Sequence, residues 1–159
     1  MRSFVLLALV CSTIVGTSSA LVDASERTTV TVSANAYDDR TSGNGCSPSG
    51  CIPENTRDGS IIANSRWSCK EDLEDENCEI TFEFDEPQDI VSVMIAFYKG
   101  DQYIRKLKVK LNGSTWSTIE SSGTTNEYQT FTLNTDETAS LTLESLGLDG
   151  DEWISIKEV

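Results

Sequence analysis

The chain has 159 residues, with 12 basic against 26 acidic side chains, no histidine and a formal net charge of −14. That length suits one domain with a single core. The charge argues against nucleic acid as a partner, and the lack of histidine removes the commonest acid-base and metal-binding side chain.

In chain order, Arg2 precedes an apolar run from Phe4 to Val15, and small residues follow to Ala20. This is the pattern of a secretory signal peptide spanning 1–20, with cleavage expected after Ala20. The run is too short, and too interrupted by Ser12 and Thr13, for a lasting membrane span, and no other segment is apolar enough to be one. Residues 21–159 are then the mature domain, secreted and one unit more negative without Arg2. Cys11 leaves with the signal, so Cys46, Cys51, Cys69 and Cys78 remain in an oxidising compartment, where two disulfides are expected. Three pairings are open, and the short spacings favour Cys46 with Cys51 and Cys69 with Cys78. A zinc site would want closer cysteine pairs or histidine.

Apolar residues recur mostly with period two between clusters of Gly, Asn, Asp and Ser, so the mature chain reads as all-β. Candidate strands are 28–34, 79–84, 90–98, 104–111, 115–119, 128–133, 139–144 and 153–158. About eight strands point to a β-sandwich. Ile80, Phe82 and Phe84 alternate with Glu79, Thr81 and Glu83, and Leu107, Val109 and Leu111 with Lys106, Lys108 and Lys110, so the apolar face of each strand belongs to the core. Asn112-Gly113 marks a hairpin turn, and Asn112-Gly113-Ser114 is also a glycosylation sequon at its tip. The segment 35–78 carries turn formers and all four mature cysteines and is expected to be irregular. The acidic residues Glu71, Asp72, Glu74, Asp75 and Glu76 read as a solvated loop, and Asp149-Gly150-Asp151-Glu152 lacks the spacing of an EF-hand. The lysine row Lys106, Lys108 and Lys110, extended by Arg105, reads first as a solvent-facing strand and second as an anion-binding stripe.

Three blocks carry a family resemblance: Asn55-Thr56-Arg57-Asp58-Gly59 followed by Ser65-Arg66-Trp67-Ser68; Ile95-Ala96-Phe97-Tyr98-Lys99-Gly100-Asp101; and Trp153-Ile154-Ser155-Ile156-Lys157-Glu158-Val159. Together they resemble the discoidin, or coagulation factor five/eight type C, domain, and within it the family 32 carbohydrate-binding modules. The resemblance spans essentially the whole mature chain. It implies a jelly-roll sandwich of the galactose-binding-domain type, with a structural calcium ion and ligand-binding loops at one end. For calcium it implies Asp58, the backbone carbonyl of Asn55, oxygens near Ser60 and Ser65, and Glu158. Two departures stand out: Ser60 occupies a position where aspartate is frequent, and two extra residues separate Asp-Gly from Arg-Trp. Alternation independently turns Glu158 inward with Ile154 and Ile156, and a buried carboxylate is costly unless paired.

The loop 98–103 joins two strands and gathers aromatic, cationic, anionic and amide groups, the mixture that sugar recognition uses. By itself it reads as a solvated turn with Tyr98 in the core; the resemblance makes Tyr98, Lys99, Asp101 and Tyr103 the expected ligand-binding residues, with Arg66 and Trp153 as neighbours. The expected partner is a polysaccharide or glycoconjugate, an anionic one included, in the extracellular space or cell wall. The alternative is a structural or adhesive matrix protein that binds protein partners. A small polysaccharide lyase or glycosidase ranks lower, because no nucleophile motif or phosphate loop is present and no catalytic residue is expected.

Overall fold

A computed structural model describes residues 30–38, 45–46, 50–70, 77–148 and 153–159. The signal peptide, the acidic loop 71–76 and the segment 149–152 lie outside the described residues. Seven strands follow in order: β1 (Val30–Ala34), β2 (Trp67–Lys70), β3 (Glu79–Phe97), β4 (Arg105–Leu111), β5 (Ser114–Glu120), β6 (Tyr128–Leu148) and β7 (Trp153–Glu158). A short 3-10 helix, Pro53–Arg57, precedes β2. All described strand pairings are antiparallel.

The long strands β3 and β6 build both layers of the sandwich. The first half of β3 pairs with β1 on one side and with the second half of β6 on the other, and that half of β6 pairs with β4, which pairs with β5. The second half of β3 pairs with the first half of β6 and with β7, and β7 pairs with β2. Each long strand therefore leaves one sheet and enters the other. The register of β3 against β6 shifts between Glu83 and Gln88, again before Ile90, and again before Ser92. Bulges bend and twist a strand, which is how a chain turns such a corner without a loop. On β6 the corner holds Asn134 and Glu137 at positive φ. Asp89 Oδ1 accepts the Glu137 amide at 3.1 Å, which laces the two corners together, and the hydroxyls of Thr135 and Thr138 bond at 2.9 Å within the β6 corner.

The sequence expectation needs two corrections. Segments 79–84 and 90–98 are one strand, as are 128–133 and 139–144, because the turn-forming residues between them sit in bulges. Residues Trp67–Lys70, expected to be irregular, form the edge strand β2. The rest agrees closely: the hairpin turns at Asn112 and Gly113, both at positive φ, and the disulfides join Cys46 with Cys51 and Cys69 with Cys78. Asn112 also has a structural task, since its Oδ1 accepts the Ala139 and Ser140 amides at 2.7 and 3.2 Å.

Between the sheets lie Trp67, Ile80, Ile95, Phe97, Leu107, Val109, Leu143, Ile154 and Ile156, all essentially inaccessible. The opposite face of the β1–β3–β6–β4–β5 layer carries the lysine row, and there it is neutralised in place. Lys106 faces Glu120 at 3.4 Å, Lys108 meets Glu144 at 2.7 Å, and Lys110 joins both Glu144, at 2.8 Å, and Glu79. Asn77 adds a third bond to Glu144 at 2.8 Å. The Glu144 side chain is only 5% exposed. Burial pushes its pKa up, but the hydrogen bonds from Lys108, Lys110 and Asn77 outweigh burial and hold it at about 2.

Because this carboxyl is more acidic folded than the ordinary value of 4.5, its contribution to stability is complete above about pH 4.5 and is lost as pH falls toward 2. Glu144→Gln should cost roughly 2–3 kcal/mol near neutral pH, at or below the low end for breaking a buried pair because both lysines keep some water. Denaturant titrations at neutral pH and between pH 5 and 2 check this: the acid-side slope of wild type should flatten in the variant.

Candidate functional site

β7 runs between β2 and β3, and it is covered on both faces. Its inward side chains Ile154 and Ile156 reach the core, while Ser155 and Lys157 on the other face are also buried. What covers that outer face is polar. Ser68 of β2 and Ser155 of β7 share a hydrogen bond at 2.7 Å. Arg66, one residue before β2, sends its Nε to the Ser68 hydroxyl at 3.1 Å and its Nη1 to the carbonyls of Ala63 and of Gly45, the latter at 3.3 Å. Its guanidinium lies 4.2 Å from the centroid of the Tyr98 ring. Burial lowers the Arg66 pKa, and Tyr98 and Asp38 pull it partly back. A guanidinium over a ring, with its donors on carbonyls and a hydroxyl, is a structural clamp. It ties the Cys46–Cys51 loop, the 58–65 loop and β2 to the end of β3.

Loop 98–103 leaves β3 at that clamp. The Tyr98 amide donates to the Ser155 carbonyl at 3.1 Å, and the amides of Gln102 and Tyr103 both return to the Lys99 carbonyl, at 3.0 and 3.1 Å. Lys99 sits at φ 52, and its ammonium lies 5.5 Å from the Tyr98 ring. Tyr98 thus carries two cations near its ring. Tyr103 is half-buried with the Arg105 guanidinium 4.9 Å from its ring centroid, and Arg105 itself is fully buried at the inward start of β4. Asp101 and Gln102 are exposed, and Lys99 is half-exposed.

A second loop, 121–127, packs against the first. A methyl group added to Gly100 would stand 2.5 Å from the Thr125 carbonyl, and one added to Gly123 would stand 2.8 Å from the Ile104 side chain. Only glycine permits that approach. Lys157 Nζ donates to the Asn126 carbonyl. Burial lowers the pKa of this lysine, against the pull of Glu127 and Asp101.

Of the six expected ligand residues, the structure brings Arg66, Tyr98 and Lys99 into one stack, with Asp101 and Tyr103 in the same loop. Trp153, half-buried and paired across with Lys70, begins β7, and the described contacts do not join it to that stack. Lys157, Asn126 and Glu127 are neighbours that the sequence reading did not single out. On a strand read as half-exposed, Lys157 looks like an ordinary solvent lysine; only the central position of β7 gives it away.

The expected calcium ligands cluster around the 3-10 helix. Asp58 Oδ1 accepts the Ser60 amide at 2.8 Å, and its Oδ2 accepts the Ser65 hydroxyl. The Asn55 side-chain NH2 donates to the carbonyls of Gly50 and Arg66, at 2.9 and 3.0 Å, which fixes this residue inside the helix that precedes β2. Glu158 is buried at 6% exposure, and the amide of the next residue, Val159, donates to the Thr56 carbonyl at 3.0 Å, which fixes the end of β7 against the helix. Among the described residues no group of three or more His, Cys, Asp or Glu side chains could hold a metal. Asp58 and Ser65, which bond each other, and Ser60 carry oxygen donors of the type that suits a hard cation and not zinc.

The sequence matches no family model, and no curated protein matches it. Solved structures do. The chain is similar to the CBM32 of AlyQ in complex with 4,5-unsaturated mannuronic acid, at 25% identity and a TM-score of 0.66, covering 80% of this chain and 90% of that one. It aligns equally well with truncated AlyQ carrying CBM32 and alginate lyase domains, of which it spans 30%. A pectin binding carbohydrate binding module aligns at 22% identity and a TM-score of 0.62, over 80% of this chain and 86% of that one. In fold, and in the sequence blocks that first suggested it, this chain resembles the family 32 carbohydrate-binding modules, and its architecture is their discoidin-like β-sandwich.

Proposed function

We propose that this chain is a secreted, non-catalytic carbohydrate-binding domain that takes a saccharide at loop 98–103. The observation that carries the reading is the construction of that loop. Exposed Asp101 and Gln102 and half-exposed Lys99 project from a turn whose base is fixed to β7 and to the buried Arg66 clamp. Directional hydrogen-bonding groups on a rigid support suit hydroxyl recognition, because little entropy is lost on binding. The likeness to carbohydrate-binding modules supports the same conclusion. Tyr98 has two cations near its ring, Arg66 and Lys99, and Tyr103 has one, Arg105, so Tyr103 is the better candidate to stack on a sugar.

Lys99 supplies charge to an acidic glycan, and the module similar to this chain that is bound to an unsaturated mannuronic acid makes uronate oligosaccharides a reasonable first probe. The lysine row does not contribute, because Glu120, Glu144 and Glu79 already neutralise it. Saccharide binding should therefore weaken less than about threefold when ionic strength is raised tenfold, since one exposed cation gives little screening-sensitive attraction. Calorimetric titrations at low and high salt check this, and a steep loss of affinity with salt would return the lysine row to the site. Replacing Lys99 and Asp101 together with Ala should lower affinity by about tenfold or more, about 1.4 kcal/mol per tenfold, with the melting temperature nearly unchanged. Undiminished binding on a glycan array would remove loop 98–103 from the site.

A structural calcium ion forms part of the proposal, held by Asp58, Ser60, Ser65, the Asn55 carbonyl and Glu158. The oxygen-only donor set and the burial of Glu158 beside the helix support it. Such an ion would offset the cost of the buried carboxylate and fix the loop that feeds Arg66 into the clamp. Added calcium should raise the melting temperature and chelator should lower it, and Asp58→Asn should abolish most of that response. Identical melting curves with calcium and with chelator would remove the ion.

A further inference from the structure

Lys157 is the charged side chain hardest to justify by stability alone. Its residue is 5% exposed, it lies on the outer face of β7, and its ammonium reaches the Asn126 carbonyl in the loop before β6. β3 lies between β7 and β6, and the β3 residue paired with Tyr128 is Ala96, fully buried and outside the apolar core cluster. Burying an ammonium costs several kcal/mol unless it is well bonded. Here the compensation is one loop carbonyl together with the nearby carboxylates of Asp101 and Glu127, one from each loop.

The 121–127 loop has its own internal order. The Ser122 amide donates to Gln129 Oε1 at 2.7 Å, the Thr124 hydroxyl to Ser122 Oγ at 2.9 Å, and the Glu127 amide to Thr125 Oγ1 at 3.0 Å. Its backbone touches Gly100 at Thr125, so it borders loop 98–103 directly. Glu127 is exposed and Asn126 half-exposed.

We propose that Lys157 is a positioning residue that pins loop 121–127 to β7, the strand that also holds the base of loop 98–103, and that Asn126 and Glu127 form the second wall of the saccharide site. This rests on the carbohydrate-binding reading for the wall, but not for the pin. The pin joins β7 to loop 121–127 through a backbone acceptor, so the side chains of Asn126 and Glu127 are not used up by it. The two-walled site holds carboxylates on both sides and Lys99 on one, which suits bonds to sugar hydroxyls, a carboxylate accepting and an ammonium donating.

Hydrogen exchange read by mass spectrometry tests the pin without any ligand. Lys157→Met keeps the stem and removes the ammonium; amides of 121–127 and 98–104 should then exchange at least about tenfold faster, a loss of about 1.4 kcal/mol of local protection, while amides of the β3 and β6 corners do not change. Lys157→Arg, which keeps a donor, should restore protection. Unchanged exchange in the methionine variant, or faster exchange spread evenly over the whole domain, would overturn the pin. For the wall, Asn126→Ala and Glu127→Ala leave the Asn126 carbonyl in place and are titrated with mannuronate oligosaccharides and with galactose. Wild type is expected to bind at least one of these, and each variant to bind it about tenfold more weakly. Wild-type affinity in both variants would overturn the wall. A wild-type chain that binds neither probe would sink the saccharide reading and the wall with it, while the exchange measurement would still decide the pin.

Discussion

The pairing of β3 with β6 along both their halves organises everything else in the molecule. Because Ala96 faces Tyr128 and Glu79 faces Glu144, one pair of strands belongs to both sheets and fixes the angle between them. It also fixes which loops meet. β3 ends at Phe97 and releases loop 98–103; β6 begins at Tyr128 and is fed by loop 121–127. Two strand ends in register must send their loops out side by side, so the neighbourhood of Gly100 and Thr125 follows from the ladder rather than from any attraction between the loops. β7 then adds to the free edge of β3 and brings Ser155 and Lys157 beneath both.

Much of this was legible in the sequence, and the reasons differ from element to element. Alternation gave the faces of β4 and of the first half of β3 correctly, because each of those stretches has one wet side and one dry side. It failed to join 79–84 to 90–98, since Asp85, Glu86, Pro87 and Asp89 look like a turn and a bulged corner uses the same residues as a loop. It missed β2 because four residues, Trp67–Lys70, are too few to display a period. The disulfides were readable because short spacings leave few alternatives. In the candidate site, loop 98–103 reads by composition alone as a solvated turn and stands out only through the family resemblance, and the role of Arg66 as a clamp was not legible at all. Its acceptors Gly45 and Ala63 are backbone carbonyls, which leave no trace in side-chain identity.

The lysine row shows the same limit from the side of electrostatics. Lys108 and Lys110 meet Glu144 more than thirty residues away, and the match is made by strand order, with β6 between β3 and β4. In sequence the lysines stand as an uncompensated stripe; in the sheet they face Glu120, Glu144 and Glu79, so the stripe has no charge to offer. An acidic protein that spends its lysines this way has few cations left for a ligand. In the proposed site, recognition would then depend on the direction of hydrogen bonds and the shape of the loops more than on net charge.

The buried polar layer outside β7 is the least economical part of the fold. Ser68, Ser155, Arg66 and Lys157 occupy positions where valine or leucine would pack without desolvating a charge. Apolar side chains there could fill the same space, but they could not hold a carbonyl of a neighbouring loop at a fixed distance and direction. Arg66 does so for Gly45 and Ala63, and Lys157 does so for Asn126. Each of these cations bonds a segment that has no sheet partner of its own at that point, so each substitutes for the ladder hydrogen bonds that the loops lack. A polar layer that costs stability and returns loop position is what a binding surface requires and a purely structural sandwich does not, and this layer lies under loops 98–103 and 121–127.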